Sequence, residues 1–412
     1  VPGPRSSARA ATAGWLAAAP AYRLATLRVT LATTTLAFHV PKLDALIDGY
    51  AASAFHVPPA FSWLPPPTPA AATALVALGY LAACGLGLGV APRLCAWLLA
   101  GAGFYVLALD PEHFTHNAHF HLTLLALIGC SGDRVTLLRL VRPDDATATC
   151  PAWPEHLVRW QLAIVFFYAA LDKVVSPHWG WSGVLLSELE PTPHAPGLAA
   201  LQRINVTVVR AFPAALSVMT TALEFSLAAA VVWRPLRRAA LAVGVAFAVW
   251  LEFLVRPGTF AWDTMAALLV LAPAADRGWS VVHDPACASC GRSRMLLARL
   301  DWLRRLRWVP ADGAVGAAHD GLHLISPRGR SYRALAAARV LPLVLAGPVL
   351  VAMTLARFGG TFLASLGYGP WFDLPFVVLA AWLLLWVPGL ARVVRYPAHG
   401  AAARRAVRTA PR

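Results

Sequence analysis

The chain has 412 residues, of which 58% are hydrophobic and only 13% charged, about half the charged share of a soluble protein. Its formal net charge is +15, yet lysine occurs only at Lys42 and Lys173, and the arginines stand in short loops between apolar runs. That distribution argues against a nucleic-acid surface and a soluble enzyme, and points to the lipid bilayer as the chain's partner.

The first residues, VPGPRSSARAATAGWLAAAPAYR, lack a long apolar core, so no cleavable signal peptide is expected. Apolar segments of spanning length follow at 24–40, 70–90, 92–109, 119–138, 156–173, 211–233, 236–255 and 259–275. They predict an all-α polytopic membrane bundle of about eight spans over residues 15–275. FHVPPAFSWLPPPTP at 55–69 reads as an extended connection, because each proline pushes its predecessor out of the helical region. The stretch 174–210 reads as a re-entrant or interfacial segment. Arg93, Arg134, Arg139, Arg142, Arg234, Arg237 and Arg238 fall on one side of this topology, while Lys42, Arg203, Arg210 and Arg256 lie among acidic residues on the other. The asymmetry places the N-terminus in the cytoplasm, in a bacterial-type inner membrane.

Ionisable groups inside such spans are functional candidates. Lys173 closes an apolar run and precedes Trp179 and Trp181; the plain alternative is a flanking lysine that snorkels beside an aromatic belt. DPEHFTHNAHFHL carries His113, His116, His119 and His121, which with Asp110 or Glu112 supply metal-ligand atoms. Neither an HExxH nor a doubled histidine box accompanies them, so no metal is expected. Glu224 and Glu252 are candidate hydrogen-bonding groups in the bundle, or helix-bridging glutamates without a catalytic role.

Taken together, NAHFHL at 117–122, RWQLAIVFFYAALDK at 159–173 and Trp179 resemble the HTTM domain, the vitamin K-dependent gamma-carboxylase-like membrane domain. The resemblance sets Asn117 and His119 on one motif and Arg159, Gln161, Tyr168 and Lys173 on another. It implies an oxidoreductase or carboxylase in which Lys173 is the base toward a reduced, vitamin K-like quinone and His119 stabilises the oxygenated intermediate. A lysine kept neutral by an apolar setting can accept a proton in this way. Two departures stand out. Glu252 lies where family members often carry a histidine, and no counterpart is expected of the large soluble domain through which the animal enzyme binds protein substrates.

Composition changes at Arg277, and residues 279–333 read as strand, tight loop, amphipathic helix, strand and a hairpin around Pro327 to Gly329. Cys287 and Cys290 form a Cys-x-x-Cys at the helix start, where the helix terminus and Arg292 and Arg294 favour a thiolate. This predicts a small α/β thioredoxin-like module over 279–340. Asp284, three residues before Cys287, makes HDPACASC similar to the DCC thiol-disulfide oxidoreductase family. Cys287 is then the attacking thiol and Cys290 the resolving one. Zinc would need a second pair, and Cys84, Cys95, Cys130 and Cys150 lie far upstream. Residues 341–412 hold apolar runs at 341–357 and 371–390, read either as a ninth and tenth span or as a membrane-associated part of the redox module, and a basic tail suited to anionic lipid. Two other functions stay open: a membrane-anchored thiol-disulfide oxidoreductase whose bundle is only an anchor, and a non-catalytic protein assisting peptide maturation or immunity. The expected substrate is a quinone, another small molecule or a peptide.

Overall fold

The computed structural model describes residues 15–40, 59–109, 116–132, 135–141, 148–176, 196–254, 259–272, 279–283, 288–310, 323–326, 330–333, 337, 340–341 and 344–365. Two units emerge, one of residues 1–137, 148–272 and 350–374, the other of residues 138–147, 273–349 and 375–412.

In the first unit the helices are α1 (Tyr22–Thr34), α2 (Pro69–Leu88), α3 (Pro92–Leu109) and α4 (His116–Cys130). After the short α5 (Leu137–Val141), which but for its first residue belongs to the second unit, come α6 (Trp153–Val175), α7 (Pro196–Ala211), α8 (Pro213–Val232), α9 (Arg237–Leu254) and α10 (Phe260–Leu268). Every segment expected to span thus carries a helix, but among the described residues only α2, α3 and α8 have both the length and the apolarity to cross a bilayer. The reasons differ from helix to helix. α4 and α10 stop short, α6 carries Glu155, Arg159, Asp172 and Lys173, and α9 carries Arg237, Arg238 and Glu252.

α1 is buried along its whole length, with Leu24, Leu27, Leu31 and even Arg28 withdrawn from solvent. It packs against α2, α4 and α10. Thr26, Thr30, Thr33 and Thr35 each donate a hydroxyl hydrogen to the carbonyl four residues back, which loosens and bends a helix. The helix then widens into a π-turn, Thr35–His39. Such turns recur at functional sites because they re-aim side chains.

Two further devices hold α1. Strand β1 (Ala18–Pro20) pairs antiparallel with β2 (Thr149–Pro151), so the starts of α1 and α6 are drawn together and Arg23 meets Glu155 at 3.1 Å. Strands of three residues are too short for an alternation to show in the sequence, and this clasp was not foreseen. The second device is the end of α2. Thr68 caps its start, with Pro69 in the first turn, and Gly89 ends it at φ 77. A Cβ on Gly89 would lie 2.8 Å from Thr136 Cα and 2.9 Å from the Val135 carbonyl oxygen, the same oxygen that accepts from the Arg28 guanidinium.

The second unit is a four-stranded sheet ordered β4-β3-β5-β6. β3 (Trp279–His283) runs parallel to β4 (Leu306–Pro310), joined through helix α11 (Ala288–Leu300), as a parallel pair requires a crossover. β5 (His323–Ile325) is antiparallel to β3 and pairs with β6 (Ser331–Arg333). Val281, Leu324 and Ala337 form the core beneath Trp279, Trp308 and Tyr332. Between α11 and β4, the Asp301 carboxylate accepts the backbone N–H of Arg305 at 2.8 Å and of Leu306 at 2.7 Å. Burial nevertheless pushes Asp301 above the usual carboxylate range. Arg304, at φ 52, donates to the carbonyls of Arg139 and Leu140 in α5. A last helix, α12 (Ala346–Ser365), begins inside the run expected at 341–357, extends past it and from residue 350 belongs to the first unit; the run 371–390 and the hairpin turn 327–329 lie outside the described residues.

Candidate functional site

α6 and α8 pack side by side and present one ionisable residue each to the seam. Lys173, in the last turn of α6, donates to Glu224 Oε1 at 2.9 Å and Oε2 at 2.8 Å and to the Ala169 carbonyl at 3.1 Å. The side chains are 12% and 6% exposed, so the lysine turns back onto a partner in α8 instead of reaching outward like a flanking anchor. The two residues, 51 positions apart, were separate candidates in the sequence, and no local spacing could have paired them.

Along the same two helices and the start of α9 lies an open groove of about 1040 Å³ lined by Trp160, Ile164, Phe167, Tyr168, Phe225 and Trp233, with Arg234 and Arg237 in its wall; neither Lys173 nor Glu224 lines it. Tyr168 is exposed and meets Phe167 edge-on at 5.7 Å. Deeper in α6, Arg159 is buried, donating to the Glu155 carbonyl at 3.0 Å and lying 3.5 Å from the Glu155 carboxylate. It thus belongs to the Arg23–Glu155 contact at the helix start. Gln161 is half-buried.

The histidine-rich stretch resolves differently from its reading in the sequence. Asn117 is half-buried in the first turn of α4, and His119 is exposed, its ring against Phe104 of α3 at 5.7 Å. It is His121, only 1% exposed, that faces the interior. There its Nδ1 lies 3.1 Å from Asp263 Oδ2 and its Nε2 lies 2.9 Å from Thr35 Oγ1. Thr34 donates to Asp263 Oδ1 at 3.2 Å. His39 stacks on His121 with centroids 4.1 Å apart and meets the Thr259 hydroxyl at 3.2 Å. None of Thr34, Thr35, His39, Thr259 and Asp263 was singled out from the sequence. The signal that existed was the run TTT beside a histidine in one apolar segment and an aspartate in another, AWDTMAALL.

Glu252 of α9 receives the Arg357 Nε hydrogen at 2.8 Å from α12. It is a paired, helix-bridging carboxylate. Cys290 lies in the first turn of α11; Asp284 and Cys287, like His113, Trp179 and Trp181, lie outside the described residues.

A family model for the HTTM domain matches residues 19–275. The chain belongs to the HTTM domain family. It is therefore a membrane protein of a vitamin K-dependent carboxylase-like family. The HTTM match contains Lys173, Glu224, His119 and the buried His121–Asp263 contact, and it ends before β3, so the Cys-x-x-Cys segment is outside it. No curated protein and no solved structure matches the chain.

Proposed function

We propose that the chain is a membrane-embedded oxidoreductase or carboxylase acting on a quinone or a small lipid-soluble substrate, with Lys173 as its base. The observation that carries this reading is the contact of Lys173 with both oxygens of Glu224 at 2.8 and 2.9 Å, in a seam shielded from water. Glu224 is the group through which a proton can be relayed to and from Lys173, the base of this reading toward an acidic O–H such as that of a hydroquinone. An aromatic groove on the same helices suits a planar apolar ligand, which stacks on Phe167, Tyr168 and Phe225. His119, on the exposed face of α4, is the residue that the family resemblance offers as partner to the oxygenated intermediate. We place the N-terminus and the Cys-x-x-Cys segment in the cytoplasm, from the arginine-rich connections.

The test is purification in detergent, identification of co-extracted quinone by mass spectrometry, and assay of hydroquinone consumption under oxygen. Loss of consumption in Lys173→Ala supports the reading; equal consumption in that variant overturns it.

One observation favours a second reading, a thiol-disulfide oxidoreductase of the DCC, thioredoxin-like kind anchored by the bundle. β3, α11 and β4 form a parallel crossover with Cys290 at the start of α11, where a helix terminus favours thiolate. Under it Cys287→Ser abolishes dithiol turnover and Lys173→Ala does not. If neither substitution changes any redox turnover, the chain has a non-catalytic role.

A further inference from the structure

We propose that His39, His121 and Asp263 form a binding site for one divalent first-row transition-metal ion, zinc(II) or iron(II). This goes beyond the Lys173 reading and does not depend on it, since the three ligands come from the π-turn after α1, from α4 and from α10.

Each residue offers one ligand atom, and these atoms lie within 4.8 Å of one another. Donors opposed across an ion at about 2.1 Å stand about 4.2 Å apart, so a small swing of a side chain closes the set. His121 Nδ1 and Asp263 Oδ2, 3.1 Å apart, already stand near the separation of neighbouring ligand atoms on one ion, and a small rotation of the ring turns its nitrogen toward an ion beside the line joining them. Two imidazoles and a carboxylate select zinc or iron(II) over calcium and magnesium, which take oxygen ligands.

The surroundings are built as an outer shell should be. Thr35 holds Nε2 of His121 at 2.9 Å, Thr34 holds Oδ1 of Asp263 at 3.2 Å, and Thr259 holds Nε2 of His39 at 3.2 Å. Outer hydrogen bonds of this kind fix ligand orientation and tautomer. Thr35 Oγ1 is shared between the Leu31 carbonyl at 2.7 Å and Nε2 of His121 at 2.9 Å, which ties the ring to the π-turn. His121 is 1% exposed and Asp263 0%, so water does not compete for these two ligands, while His39 is half-buried and closes the site on its outer side.

The experiment uses the full chain, purified in detergent through a tag without histidine, stripped with chelator and reloaded anaerobically with zinc(II) or iron(II). Mass-spectrometric metal analysis is expected to return one ion per chain, the better-retained metal naming the native one. His39→Ala and Asp263→Asn are each expected to lower retention about tenfold or more, while His156→Ala, whose ring stacks on Trp15, keeps it. Because buried substitutions can also unfold the chain, the unaltered protein gives a second reading: added metal raises its melting temperature and chelator lowers it. Absence of both retained metal and a melting shift in the unaltered protein overturns the proposal. So does equal retention in folded His39→Ala and Asp263→Asn.

Discussion

Two buried polar sites share the helical unit, and they are made differently. The Lys173–Glu224 contact joins one residue from each of two neighbouring helices, with the Ala169 carbonyl as a further acceptor. The His39–His121–Asp263 cluster spans three elements, and a threonine hydroxyl backs each member. A pair of side chains on two helices can exchange a proton and part, whereas a cross-braced set is held in one geometry. The first arrangement suits turnover and the second suits fixed coordination.

Substitutions separate the two. The largest effect is expected from Lys173→Ala, which strands a buried carboxylate and costs about 3–5 kcal/mol in denaturant unfolding as well as abolishing hydroquinone consumption. Replacing both partners, Lys173→Met with Glu224→Leu, is expected to restore most of that stability and none of the activity, since two apolar groups leave no uncompensated charge. If the double variant is as unstable as the single one, the pair does not act as a unit. Next in size is Asp263→Asn, expected to cost about 1–3 kcal/mol in the same unfolding measurement. Thr35→Val follows at about 1 kcal/mol, and it should weaken metal retention while leaving hydroquinone consumption unchanged. The smallest effect lies outside both sites and serves as their control. Asp301 titrates above the ordinary carboxylate range, so its contribution to stability is full at pH values below that range and fades as pH rises through the raised value. Melting of the sheet unit is expected to rise on acidification, and Asp301→Asn should flatten that dependence.

The helices were legible because long apolar runs and their breakers are local. Thr68-Pro69 at one end of α2 and Gly89 at the other state its limits outright. The parallel β3–α11–β4 order was likewise readable, from a short apolar strand, a loop and a helix in sequence. Lys173 and Glu224 were visible as intruders in apolar segments, but their pairing is a fact of α6 packing on α8. The central cluster was missed for a further reason. A histidine run draws attention to its motif-bearing member, His119, which is exposed, while burial selects His121 two residues on, about 200° around the helix. Asp263 and the threonines look unremarkable until a π-turn and two other helices gather them. Glu252 was read without Arg357, because its partner arrives 105 positions later.

The short antiparallel clasp between residues 18–20 and 149–151 has a bearing on biosynthesis. The helix it secures, α1, is the earliest to leave the ribosome among the described helices and the one most completely enclosed in the finished bundle, by neighbours that have not yet been translated. Its hydroxyls are satisfied at once by carbonyls of the same helix, but the guanidinium of Arg28 must wait in lipid or at the insertase until Val135 is made, shortly before the second half of the clasp. Enclosure comes later still, because α10, which packs on α1, is translated after both: the opening segment is delivered first and covered last.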